Sequence, residues 1–104
     1  MYDTIIVGGG VAGLTAAMYL ARANISCLII ESKFWGGQTA LLNKVSNYPA
    51  VKETSGYDIS NTLYQQVVDL SVDMKNEIVI KLKKLKSGYQ VTTNKNKYIS
   101  HNVI

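Results

Sequence analysis

Six residues near the start of the chain, Gly8-Gly9-Gly10-Val11-Ala12-Gly13, constrain the fold more than any other segment. They follow the apolar run Tyr2 to Val7, whose continuous Ile-Ile-Val is typical of a strand buried on both faces of a parallel sheet. From Val11 onward, apolar residues recur every three or four positions, which predicts a helix that ends near Asn24. A second β-branched run, Ile25 to Ile30, completes one βαβ unit.

The glycine spacing satisfies G-x-G-x-x-G in the context that gives this motif meaning, between a buried strand and a helix. Gly8 permits the tight turn, Gly10 lets a pyrophosphate approach the backbone, and Gly13 lets the helix pack closely on the strand. At the start of that helix, the free N–H groups of the Val11-Ala12 segment and the positive end of the helix dipole favour phosphate. The motif therefore predicts a phosphate-binding turn.

An acidic residue stands where such a unit places the sugar of its ligand. Glu31 follows Gly13 by 18 residues, at the carboxyl end of the second strand, with Ser32 beside it. There its carboxylate can accept hydrogen bonds from an adenosine ribose and would repel a 2′-phosphate. The glycines and Glu31 together predict binding of a dinucleotide, either FAD or NAD.

The remainder of the chain divides into a loop, a helix and a meander. Ser32 to Gly56 lacks a sustained period and is interpreted as a long functional loop. Asp58 to Met74 recovers helical spacing, with Asp58 as the expected cap. Asn76 to Ile104 alternates between apolar and polar residues and contains a Ser87-Gly88 turn, which predicts antiparallel strands.

Charge and cysteine content exclude several classes of function. The net charge is +4, and seven of the eleven basic residues are lysines between Lys75 and Lys97. Most fall on the solvent face of predicted strands, and no aromatic platform with interleaved arginine accompanies them, so nucleic-acid binding is not expected. The lone Cys27 excludes a disulfide scaffold and a C-x-x-C pair within these residues, and no metal site or catalytic residue is predicted. His101 lies in a terminal strand without partners for general-base chemistry.

A membrane span or a signal peptide in the sequence would determine where the protein resides in the cell. No run reaches the roughly 18 to 20 apolar residues that a membrane span requires. No basic segment precedes an apolar stretch at the start, so a signal peptide is not expected and Met1 is expected to be the true start. A cytoplasmic location without membrane attachment is the expectation.

Two further motifs separate FAD from NAD. Trp35-Gly36-Gly37-Gln38-Thr39 is followed, nine residues after Gln38, by Asn47-Tyr48-Pro49. This pair resembles the flavin loop of the low-molecular-weight thioredoxin reductase family, which includes related alkyl hydroperoxide reductase flavoproteins. The order that follows, Ser55-Gly56 leading into a helix and then a meander, is also similar to this family. The resemblance covers essentially the whole chain.

The resemblance implies an α/β fold: a Rossmann-like FAD-binding βαβ unit with a parallel sheet plus an antiparallel β-meander, truncated at 104 residues. It implies that the backbone at Gly36 and Gly37 passes near the pyrophosphate and flavin, and that the amides of Gln38 and Asn47 hydrogen-bond toward the isoalloxazine ring. Backbone near Leu82 is implied to hold adenine. The sequence departs from the family at Ser46, usually acidic, and at Ala50, usually glycine.

Residues 1–104 then correspond to the first part of an FAD-binding domain. The family's second FAD segment, its NADPH-binding domain and the C-x-x-C disulfide all lie beyond this segment. The parent reaction implied by the resemblance takes electrons from NADPH to FAD, to a cysteine pair and to the disulfide of a thioredoxin-like partner. The 104 residues alone are therefore expected to show little or no disulfide reductase activity.

Two other interpretations stay open from the sequence. The chain could be a non-catalytic truncated or split fragment that needs a complementing chain, because an open parallel sheet ending at Ile104 would leave an unpaired edge and an uncovered apolar face. Self-association or a partner chain is then expected. Alternatively it could belong to an FAD-dependent reductase of the same fold without a cysteine pair, such as a ferredoxin-dependent enzyme.

Overall fold

The computed structural model describes residues 1–37, 41 and 55–104, and within them the chain forms two helices and six strands. The helices are α1 (Val11–Arg22) and α2 (Gly56–Asp69). The strands are β1 (Tyr2–Val7), β2 (Cys27–Glu31), β3 (Asp73–Asn76), β4 (Val79–Lys84), β5 (Tyr89–Thr93) and β6 (Lys97–Val103). They form one mixed sheet in the order β3-β2-β1-β6-β5-β4. This architecture confirms the predicted α/β fold with a parallel part and a meander.

The βαβ unit forms where the sequence predicts it. β1 and β2 run parallel, with Ile5 opposite Leu28 and Ile6 opposite Ile29. These four side chains are at most 1% exposed, which is why both strands carry unbroken aliphatic runs. Asn24, just after α1, adopts a positive φ of 58°, which turns the chain back toward β2.

Successive residues of these strands serve opposite faces of the sheet. Ile6 and Ile29 face the helices, where Leu14 of α1 and Leu63 and Val67 of α2 complete one apolar core. Ile5, Leu28 and Ile30 form the second core together with Val91 of β5, which is fully buried. The meander therefore covers the face of the parallel strands that the helices leave open, and the expectation of an uncovered apolar face is wrong.

The sheet edges also differ from the expectation. β6 pairs in parallel with β1 through Tyr2 and Ser100, and antiparallel with β5 through Tyr98 and Val91. The strand before Ile104 is thus central, and the strands at the two ends of the sheet are β3 and β4. The predicted unpaired edge at Ile104 is wrong because this strand bridges the parallel strands and the meander.

The second helix starts and ends earlier than its apolar spacing predicts. Ser55 is the N-cap, its hydroxyl accepting from the Asp58 backbone N–H at 3.0 Å, so Asp58 lies in the first turn and is not the cap. The helix ends at Asp69, and Ser71 has a positive φ of 60°. Met74 belongs to β3, which pairs in parallel with β2 and was not predicted as a strand. Neither helix described is long and apolar enough to cross a membrane.

Replacing Tyr2 by phenylalanine is expected to lower the free energy of unfolding by about 1 kcal/mol near neutral pH, because its hydroxyl donates to Asp73 Oδ2 at 2.6 Å. Burial, followed by this hydrogen bond, raises the pKa of Tyr2 from 10.0 to about 12. A raised folded-state pKa means that the stabilisation is fully present below pH 10 and is lost as the pH rises toward 12. Urea unfolding of both proteins across this range should show their difference shrinking, whereas a constant difference would contradict the assignment.

Candidate functional site

A glycine turn connects β1 to α1 at the carboxyl end of the parallel strands. Gly8 has a φ of +113°, a conformation that side chains rarely adopt, and its N–H donates to the Ile30 carbonyl at 2.8 Å. A Cβ on Gly13 would lie 2.0 Å from the Gly8 carbonyl oxygen and 3.3 Å from Cγ2 of Ile6. The helix can therefore approach the strand this closely only with hydrogen at position 13.

Among the residues that the structure describes, none covers the start of α1, where the helix dipole is positive. Gly10 is the N-cap, none of these residues caps the helix with a side chain, and no acidic residue lies in its first turn. The first N–H groups of a helix have no partner within it, so the amides of Val11, Ala12 and Gly13 are available to an anion. The site thus presents backbone donors where a phosphate group can be held.

A second glycine pair closes the opposite side of this turn. The Gly36 N–H donates to the Gly9 carbonyl at 2.7 Å, and Gly36 and Gly10 form a parallel bridge. Gly36 and Gly37 have positive φ values of 100° and 57°. A Cβ on Gly37 would lie 3.1 Å from the Gly10 Cα, so the two backbones meet at van der Waals distance without side chains between them.

Glu31 lies beside this pair of glycine segments. Its Oε1 accepts from the Gly9 N–H at 2.7 Å, and its Oε2 accepts from the Lys33 N–H at 2.8 Å. Both oxygens are therefore oriented by the backbone, and each has a further lone pair for a hydroxyl donor. The carboxylate is held in place at the end of β2, where the sequence predicts a ribose contact.

A cavity of about 160 Å³ opens between the glycine turn and the start of β4. Its lining is Val7, Gly8, Ile30, Glu31, Ser32, Glu77, Ile78 and Val79. The sequence predicted Gly8, Glu31 and Ser32 at one site, and the structure brings these three together. The last three lining residues were missed, because they reach the site through the pairing of β3 with β2.

Glu77 is the most buried polar group of this lining, at 5% exposure. Its carboxylate accepts from the hydroxyl of Thr93 at 2.6 Å, from the hydroxyl of Tyr98 at 2.9 Å and from the amide of Asn96 at 3.3 Å. These bonds, with Thr93 first, outweigh burial and lower the pKa of Glu77, and the positive charge of Lys75 adds to them. The group is thus held in its ionised form.

Comparison with known proteins places this chain in a family. The family model for pyridine nucleotide-disulphide oxidoreductases matches residues 2–104. The chain belongs to the pyridine nucleotide-disulphide oxidoreductase family. A thioredoxin reductase of Treponema pallidum (strain Nichols) is 39% identical over 104 residues, which cover 99% of this chain and 34% of the relative.

Two solved structures have the same fold as this chain over almost its whole length. Thioredoxin reductase from Streptococcus pyogenes MGAS5005 superposes with a TM-score of 0.94 at 36% identity, and that from Lactococcus lactis, in its FR conformation, with 0.95 at 28%. Each comparison covers 99% of this chain and 34% of the other. The chain thus spans about a third of the length of these relatives, and the resemblance to the N-terminal part of thioredoxin reductases is confirmed.

The other predicted site residues of this family member lie apart or outside the described part. Leu82 lies on β4, 55% exposed, and is not among the residues that line the cavity, where Ile78 and Val79 lie instead. Gln38 and Asn47, predicted to reach a flavin ring, fall outside the described residues.

Trp35 and Cys27 are both packed against other parts of the fold. A Cβ on Gly9 would lie 2.3 Å from the Trp35 ring, whose Nε1 donates to Asn76 Oδ1 at 3.0 Å and whose centroid is 5.8 Å from that of Tyr64. Trp35 therefore packs beneath the glycine turn. Cys27 is buried in the core, and burial raises the pKa of its thiol, which disfavours the reactive thiolate.

Proposed function

We propose that this chain is the FAD-binding portion of a thioredoxin-reductase-type disulfide oxidoreductase. The observation that carries the proposal is the open start of α1, with two glycine segments around it and the oriented Glu31 carboxylate next to it. A bound dinucleotide has three requirements. Backbone N–H groups must be available to its pyrophosphate, glycines must let the pyrophosphate come close to the backbone, and a carboxylate must accept from its ribose hydroxyls.

The residues present fit the two polar parts of such a ligand. A pyrophosphate needs donors and no competing anion, and the first turn of α1 supplies N–H groups without an acidic side chain. An adenosine ribose needs an acceptor for its hydroxyls, and Glu31, one of the residues that line the cavity of about 160 Å³, supplies it. Between these two parts the backbones of Gly10 and Gly37 meet with no side chain of their own to cover them.

When bound, the flavin accepts and passes on reducing equivalents, and the residues of this chain hold and orient it. The amides of Gln38 and Asn47 are proposed to pair with the carbonyl and N–H edge of the flavin ring, following the resemblance. In the longer parent protein the donor would be NADPH and the acceptor a thioredoxin-like disulfide protein in the cytoplasm. These 104 residues include residues that would hold FAD but no cysteine pair. A complementing chain or segment is therefore proposed to supply the NADPH site and the cysteine pair.

The test is a visible absorption spectrum of the purified chain after FAD addition and dialysis. We expect FAD to be retained, with a flavin band at about 450 nm, and FMN to be lost, because FMN lacks the adenosine half that Glu31 and the α1 start would hold. The same sample is expected to show no NADPH-dependent disulfide reduction. Equal loss of FAD and FMN would contradict the proposed site, and disulfide reductase activity of the chain alone would contradict its restriction to FAD holding.

A further inference from the structure

The connection between β3 and β4 carries an unusual buried charge. Glu77 is 5% exposed, and within the described part of the chain the donors to its carboxylate are two hydroxyls and one amide, all neutral. A buried carboxylate is costly unless it is well hydrogen-bonded, so a glutamate here is maintained by its three donors. All three come from the end of β5, the following turn and the start of β6: Thr93, Asn96 and Tyr98.

The backbone of the same connection is fixed on both sides. The Glu77 N–H donates to the Glu31 carbonyl at 3.1 Å, which ties the connection to the end of β2. The Ile78 N–H donates to Asn94 Oδ1 and the Ile78 carbonyl accepts from the Asn94 N–H, both at 2.9 Å. These bonds and those of the carboxylate therefore join the end of β2 to the turn between β5 and β6.

This connection is also one wall of the cavity. Glu77, Ile78 and Val79 line it opposite the glycine turn, and the first of them is bonded to the backbone of Glu31. Backbone contacts, namely this bond and the pairing of β3 with β2, place the wall beside Glu31, and the Glu77 carboxylate ties the same wall to the turn between β5 and β6. A glutamine could not reproduce the carboxylate's bonds, because only one of its two terminal atoms accepts hydrogen bonds.

We propose that Glu77 is a positioning residue for the adenosine half of the bound dinucleotide. Its carboxylate fixes the start of β4 relative to Glu31, so that the cavity is formed before the ligand arrives. The inference rests on the proposed function, since it concerns the same ligand, but it assigns a role to a residue that does not belong to the glycine motif. Pre-formed walls raise affinity by reducing the ordering that accompanies binding.

Two measurements on Glu77→Gln test the assignment. The dissociation constant for FAD, from quenching of flavin fluorescence, is expected to rise about tenfold, because the variant loses hydrogen bonds that hold the cavity wall in place before the ligand binds. Amide hydrogen exchange in the free chain is expected to accelerate at Ile78 and Asn94. It should stay unchanged at Leu14, whose N–H donates to the carbonyl of Gly10, the N-cap of α1. Tyr2→Phe is the matched control, because it removes a hydrogen bond to a carboxylate at the opposite end of the strands and should leave FAD affinity within about twofold.

Each outcome decides the matter. Wild-type affinity in Glu77→Gln, or equal weakening in Tyr2→Phe, overturns the positioning role and leaves the proposed function intact. Unchanged exchange at Ile78 and Asn94 also overturns it, with no ligand present. Failure of the wild-type chain to bind FAD overturns the proposed function and this inference with it.

Tyr98→Phe is the second variant, in case Glu77→Gln does not fold. It removes one donor to the carboxylate and keeps the carboxylate itself. We then expect FAD affinity to fall about threefold, and unchanged affinity would contradict the positioning role.

Discussion

Replacing Gly13 by alanine should destabilise the chain severely, lowering the free energy of unfolding by about 3 kcal/mol or more. The added Cβ would lie 2.0 Å from the Gly8 carbonyl oxygen and 3.1 Å from the Gly8 carbonyl carbon. Because these are backbone atoms, α1 must move away from β1, which separates Leu14 from the core it shares with Ile6. Small domains are stable by only about 5 to 15 kcal/mol, so a loss of this size removes much of the total. Urea unfolding followed by circular dichroism measures it.

Gly10→Ala is the matched control from the same motif. Among the described residues its Cβ would meet only the Gly37 Cα, at 3.9 Å, and the φ of −77° at Gly10 suits any residue. We expect a change below about 1 kcal/mol, mostly from placing alanine at a helix N-cap. Equal destabilisation by both substitutions would show that the motif glycines act through general flexibility and not through the contact with Gly8.

Replacing Glu31 by glutamine should weaken FAD binding by about tenfold or more, since a hydrogen bond to a charged group contributes about 1.5 to 3 kcal/mol. The variant loses one of the oxygens that accept from Gly9 and Lys33, together with the charge that would attract ribose hydroxyls. Isothermal titration of the chain with FAD measures the change.

Whether Glu31→Gln weakens or strengthens FAD binding distinguishes a direct contact between the carboxylate and the ribose from the general repulsion between two negative charges. FAD is an anion, so removing a negative charge from the protein would by itself strengthen binding. Asp69→Asn at the exposed end of α2 removes the same charge away from the glycine turn, and should leave affinity unchanged or slightly higher. If Glu31→Gln behaves like Asp69→Asn, Glu31 serves only to hold the amides of Gly9 and Lys33.

The sequence predicted the βαβ unit well because its signals are local. Burial of β1 and β2 on both faces requires continuous aliphatic residues, and a helix lying on them requires apolar positions three and four apart. The second helix shows where this reasoning fails. Leu70 and Met74 continue the helical spacing, yet the positive φ at Ser71 ends that geometry, and neither glycine nor proline marks the turn.

The glycine turn and Glu31 could be predicted from the sequence, whereas the opposite wall of the cavity could not. The glycine turn and Glu31 belong to one contiguous unit, so their spacing encodes their proximity. The opposite wall arrives through strand pairing, with Glu31 beside Asn76 in the register of β2 and β3. One signal was present: Glu77 is the last acidic residue, followed by a segment rich in lysine and free of carboxylates. An isolated acid in such a segment indicates a specific partner.

The central position of β6 has a consequence for how the molecule assembles during synthesis. Of the six strands, β6 leaves the ribosome last, yet it separates β1 from β5 in the finished sheet. Until residues 97–103 emerge, the β4–β5 hairpin has no strand partner through which to join β1 in the sheet, and one side of β1 stays unpaired. Pairings between distant parts of a chain form slowly, because a long loop must close first. The nascent chain therefore passes through an extended period with an open β1 edge, in which chaperone binding or mispairing competes with completion of the sheet.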